Sequence, residues 1–182
     1  MKDLIDLLKL DQAEIIYNVL SKLKLTASEQ LKSQQIIKQG LNILIKILFD
    51  YQHNFLVVSQ VLWVMIKIAF NKTDIFSAKL LDGINVMFLN RLNEEIVAVA
   101  LDLVRSINLK DDKKQKLEYL CKQGFIESLR TCLTTFAKSP PIIAGIAKTC
   151  FDIVTLHINK YKQEISEPTF ILPILNSLDM YP

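Results

Sequence analysis

Residues 61–83 read VLWVMIKIAFNKTDIFSAKLLDG. Apolar side chains recur at three- and four-residue spacing as far as Phe70, a polar turn follows, and a second run of helical period leads to Gly83. This spacing predicts helix, turn and helix, because a strand would alternate with period two. The stretch also holds the chain's single tryptophan and one of its four glycines. Extended towards the N-terminus it becomes FLVVSQVLWVMIKIAF, a run of 16 residues broken by Ser59, Gln60 and Lys67. That is short of the roughly 20 apolar residues that a bilayer span requires. Elsewhere the same period persists and no Asn-Gly or Asp-Gly hairpin turn separates alternating segments, so the predicted fold is all-α.

Glycine supplies a second rhythm. Gly40, Gly83 and Gly124 lie 43 and 41 residues apart, each between a short amphipathic stretch and an apolar one: before LNILIKILF, INVMFLNRL and FIESLRTCL. Helices commonly end on a left-handed residue that glycine adopts most cheaply, so each of the three is expected to close a short helix. A longer helix follows each segment, from Phe55 to Phe70, from Asn93 to Asn108 and from about Pro141 to Ile158, with Pro141 suited to a first turn. Their apolar positions superpose: Val57, Val61, Val64, Met65 and Ile68; Ile96, Ala100, Leu103, Val104 and Ile107; and Ile142, Ile146, Thr149, Cys150 and Ile153, or one residue later. Gln12, Ile16, Val19, Leu20 and Leu23 form an earlier copy. TFILPILNSL suggests a partial last one in which Glu167 or Pro168 stands in for the glycine.

The chain has 182 residues, 51% of them hydrophobic, with a mean hydropathy of +0.26. A single domain over 1–182 with a sizeable core is expected, rich enough in apolar surface to bury some on partners. The net charge of +3 is mild and the lysines are scattered, which does not point to nucleic acid. Cys121, Cys132 and Cys150 are odd in number and lack CxxC spacing, so they read as reduced core thiols. The opening MKDLIDLLKL sets aspartates among its leucines and does not resemble a secretion signal, so the cytoplasm or nucleus is the expected location. His53 and His157 lack companions at metal-ligand spacing, and neither a metal nor any other cofactor is expected. KDDKKQK, residues 110–116, reads as a solvated turn whose Asp caps the next helix. NKT at 71–73 matches a glycosylation sequon, a coincidence of a loop in this context. Nucleophile-elbow, phosphate-loop, dinucleotide and zinc-protease motifs are absent, so the expected role is not enzymatic.

A period near 40 residues with two or three helices per unit marks armadillo and HEAT arrays. VLWVMIKIAFNKTDIFSAKLLDGINVMFLNRL resembles the armadillo consensus as it occurs in the importin-alpha (karyopherin-alpha) family: an ALWALTNIA-like helix, a turn, a short helix ending in glycine, and a GAIPPLVELL-like helix. The similarity runs as a degenerate pattern over most of the chain and is clearest over 57–109. It implies a right-handed α-solenoid of about four repeats whose third helices line a concave groove. There the family carries a Trp column and, four residues on, an Asn column. The resemblance places Trp63 and Lys67 at those positions, then Asp102 and Ser106 in the next repeat, Asn18 and Lys22 in the first copy, and Lys148 and Asp152 in the third.

Importin-alpha proteins use these columns to hold a basic nuclear localisation peptide. Here one Trp is present and lysine stands at two Asn positions, where a basic peptide would meet like charge. An acidic or mixed-charge segment suits that groove better. The resemblance thus implies a protein-interaction module whose partner is an extended peptide or a helix of another protein; no small-molecule substrate is expected, and the length of the apolar run argues against a membrane span. The alternatives are an importin-alpha-like transport adaptor and a structural subunit of a large assembly, the latter favoured by the apolar ends LIDLLKL and FILPILNSL.

Overall fold

A computed structural model describes residues 1–70, 76–90, 93–106, 112–156 and 159–180. These residues form helices and turns, with no strand among them. The helices are α1 (Lys2–Leu7), α2 (Ala13–Thr26), α3 (Gln30–Asp50), α4 (Phe55–Phe70), α5 (Ala78–Asn90), α6 (Glu94–Arg105), α7 (Lys113–Lys122), α8 (Phe125–Thr135), α9 (Pro140–Thr155), α10 (Asn159–Ile165) and α11 (Pro168–Met180).

They pack as two rows. In the first row α2 lies on α4, α4 on α6, and α6 on α9; in the second, α3 lies on α5, α5 on α8, and α8 on α11. The rows are stitched by α3 against α4, α5 against α6, and α8 against α9. One buried apolar cluster runs between them from Leu8 to Phe170. α4 shows why this sequence folds so. Val57, Val61, Val64, Met65 and Ile68 are each at most 1% exposed, and neighbouring Val58, Leu62 and Ile66 are just as deep. Burying such a side chain is worth about 1.5–3 kcal/mol, so packing on three sides outweighs the modest helix propensity of a β-branched run.

The long helices lie close to their expected bounds. Asn93 initiates α6, its side-chain oxygen accepting from the Ile96 N–H at 2.8 Å, and Pro140 and Pro141 occupy the first turn of α9. The superposed apolar positions on α6 and α9 are buried, Ile107 and Asn108 lying outside the described residues. In the earliest copy Ile16, Val19, Leu20 and Leu23 are buried, whereas Gln12 is exposed as the N-cap of α2. The three cysteines are free and buried, as core thiols.

The glycine expectation needs correction at two of its three positions. Gly40 lies inside α3 and Gly83 inside α5, and neither ends a helix. A glycine inside a helix costs only about 1 kcal/mol, which Ile5 packed over Gly40 and Phe49 packed over Gly83 readily offset. Gly124 alone behaves as anticipated, with φ of 84° between α7 and α8. Asn85, buried on α5, fixes that junction by donating from Nδ2 to the Gln123 carbonyl at 2.8 Å. Gly145 has a different role, since a Cβ there would come within 3.0 Å of Leu101 where α9 crosses α6.

KDDKKQK also differs from expectation. Asp112 occupies the N-cap of α7 without a side-chain capping bond, and Lys113 is not solvated: its side chain is 7% exposed and pairs with Asp152 at 2.9 Å. Residues 110 and 111, the NKT sequon and His157 lie outside the described residues, while His53 is exposed in the turn before α4.

Candidate functional site

The first row has a definite outer face. α4 is flanked by α2 and α6 and backed by α3, which leaves, apart from the exposed Phe55 at its start, one open stripe, Leu56, Gln60, Trp63 and Lys67 at helical spacing. That stripe faces away from the second row. On α6 the corresponding open residues include Glu95, Ala98, Asp102 and Arg105, and on α9 they include Ala144, Lys148 and Phe151.

Trp63 is half-buried, packed against the core with part of its surface open. Lys24 of α2 sits over the ring, its Nζ 5.0 Å from the centroid. Such a cation–π contact at a partly exposed site is worth about 0.5–1 kcal/mol. Positions 22 and 24 of a helix point about 200° apart. The structure therefore brings Lys24 to the indole and leaves the exposed Asn18 and Lys22 on another side of α2. Lys67 is half-buried, one turn along from Trp63.

On α6, Asp102 is exposed and accepts from Arg105 Nη1 at 2.9 Å. Ser106 turns its hydroxyl back to the Leu103 carbonyl at 2.7 Å, at the end of the helix. On α9, Lys148 is exposed, and Asp152 is held by Lys113. Lys148 and Asp152 do come together with α6. Along with Arg105, Lys113, Ala147 and Phe151 they line a hollow of about 530 Å³ on the outer face. Phe151 is 68% exposed there, so most of its ring meets solvent.

Sequence reasoning missed Lys24, Arg105, Lys113 and Phe151. Phe151 carried a usable signal, for it falls out of phase with Ile146, Thr149, Cys150 and Ile153. Arg105 follows Asp102 by three residues, a spacing that places the two in contact on a helix. Lys113 offered no such sign, because its burial depends on a carboxylate far along the chain.

A larger hollow of about 650 Å³ lies at the other end, between the α1–α2 turn, α2 and α3, over Leu8, Ile16 and Ile47. Its polar rim is self-satisfied. Tyr51 donates to Asp11 at 2.5 Å, a bond that pushes the phenol up to about 12, and Lys9 pairs with Asp6 at 2.5 Å. Among the described residues no group of three or more His, Cys, Asp or Glu is arranged to hold a metal, and no helix is long and apolar enough to cross a membrane. No protein-family model matches the chain, and no curated protein matches it in sequence.

Proposed function

We propose that the chain is an armadillo-like α-solenoid of about four repeats that serves, without catalysis, as a protein-interaction module. It holds an extended peptide or a helix of another protein along the outer face of the α2–α4–α6–α9 row. The observation that carries this reading is the single open stripe of α4. A helix closed on three sides has kept a half-exposed tryptophan and a lysine on its fourth, in line with open residues of the helices on either side. Aromatic rings that are partly desolvated at the centre of a face are the usual anchors of a bound segment. Lys24, Lys67, Arg105 and Lys148 give that face cations at each step along the row, which suits a partner of acidic or mixed charge.

Affinity purification followed by mass spectrometry, run in parallel with the wild type and a Trp63→Ala/Lys67→Glu variant, tests the reading. A partner retained by the wild type and lost by a folded variant is the expected result. Equal recovery by both removes the assignment of this face, and a partner whose bound segment is a basic localisation peptide would favour the transport-adaptor alternative instead.

A second reading rests on α11, which leaves Ile171, Leu172 and Leu175 substantially exposed. Such a face favours a structural subunit whose end is covered within an assembly. A monodisperse, cooperatively melting monomer in sedimentation and thermal unfolding would count against it.

A further inference from the structure

The hollow between α6, α7 and α9 has a chemistry that the stripe on α4 lacks. Two of its three cations are already committed: Lys113 to Asp152 at 2.9 Å, and one arm of Arg105 to Asp102 at 2.9 Å. Lys148 forms no ion pair among the described residues, and the Arg105 guanidinium keeps donors beyond the one Asp102 engages. The open ring of Phe151 lines the same hollow as these cations.

We infer that this hollow is an anion-plus-apolar subsite, reading an acidic side chain of the partner segment that stands beside an aromatic or aliphatic one. This deepens the proposed function and rests on it. A carboxylate entering here meets the unpaired Lys148 and the free edge of Arg105, and both internal ion pairs remain intact. A basic side chain meets the unpaired Lys148 and is repelled. The adjoining apolar side chain covers Phe151, which no segment of the chain's described residues buries. Charge on the hollow selects the ligand's sign, and the ring supplies area that charge alone would not give.

The test is selection from a phage-displayed library of random dodecapeptides on the full 182-residue chain. Selection is repeated on Lys148→Glu, Phe151→Ser and Trp63→Ala, each checked for folding by circular dichroism and thermal melting. Peptides enriched on the wild type should share Asp or Glu within two residues of an aromatic or leucine. A synthetic consensus peptide should lose about tenfold or more in affinity on Lys148→Glu and on Phe151→Ser by fluorescence anisotropy, and should weaken as salt rises. Enriched peptides that are basic or lack a carboxylate, or that bind Lys148→Glu as well as the wild type, overturn the subsite. If such peptides still depend on Trp63, the interaction face stands without it. Failure of any peptide to enrich on the wild type removes both.

Discussion

Lys113 and Asp152 meet at 2.9 Å where α7 starts against α9, and the lysine is much the deeper of the two, 7% exposed against 29%. Their burial is unequal, so their removal should be unequal too. Asp152→Ala strands an ammonium group in a nearly closed site, and the expected loss is about 2–3 kcal/mol. Lys113→Met replaces the stem with an apolar one and leaves a carboxylate that water can reach, at a cost of about 1 kcal/mol or less. Urea unfolding of the two variants measures the difference; equal losses would show that the lysine is solvated after all.

The glycines separate by position. Gly83→Ala inside α5 places a methyl at ordinary contact distance from Phe49, 3.5 Å, and should stabilise the chain by about 0.5–1 kcal/mol through helix propensity. Gly124→Ala forces a side chain into the left-handed region and should cost about 1–2 kcal/mol. Gly145→Ala has the same propensity gain but sets its methyl 3.0 Å from the end of the Leu101 side chain, which must shift, so it should gain less than Gly83→Ala. Thermal melts of the three variants should show the highest midpoint for Gly83→Ala and the lowest for Gly124→Ala.

Arg130 on α8 fastens α11. Its Nη1 donates to Glu127 at 2.9 Å, its Nη2 to Glu167 at 3.0 Å, and its guanidinium lies 5.9 Å from the centroid of the buried Phe170 ring. Both glutamates are substantially exposed, so each ion pair is worth no more than about 1 kcal/mol. With the lost packing over Phe170, Arg130→Ala should cost about 1–2 kcal/mol and speed amide exchange selectively over 168–176. Uniform exchange changes across the chain would contradict a local clasp.

Burial pushes the thiols of Cys121 and Cys150 up to about 12, against 9 when unfolded. Between those values the native state holds protons that the unfolded state has released, so stability is complete below pH 9 and falls as pH rises towards 12. The native thiols should resist Ellman's reagent near pH 8 and react when the chain is unfolded in denaturant. Rapid labelling of either cysteine in the native protein would show that its cover opens easily.

The sequence disclosed whatever depended on neighbours within a few residues. The bounds of α4 and the buried sets on α6 and α9 followed from periodicity, and the half-open setting of Trp63 fits an indole that breaks the period. What stayed hidden needed partners distant in the chain. Gly40 and Gly83 resemble Gly124 as letters, but Ile5 and Phe49 close over them and the helices continue. Lys113 belonged to a polar run until Asp152 on α9 drew it in. Lys24 took the place over Trp63 because the packing of α2 on α4 sets which side of α2 meets the indole, and one helix's pattern does not contain that angle.

The close crossing of Leu101 and Gly145 has a mechanical consequence. Each first-row helix leans chiefly on its immediate neighbours, so a tug at the α2 end reaches α9 along that row by way of α6. The missing methyl lets the Leu101 side chain of α6 lie directly against the α9 backbone at this joint. Bulk added at either position would therefore be passed on as a displacement of α9 against α6, since a packed interior transmits strain instead of absorbing it.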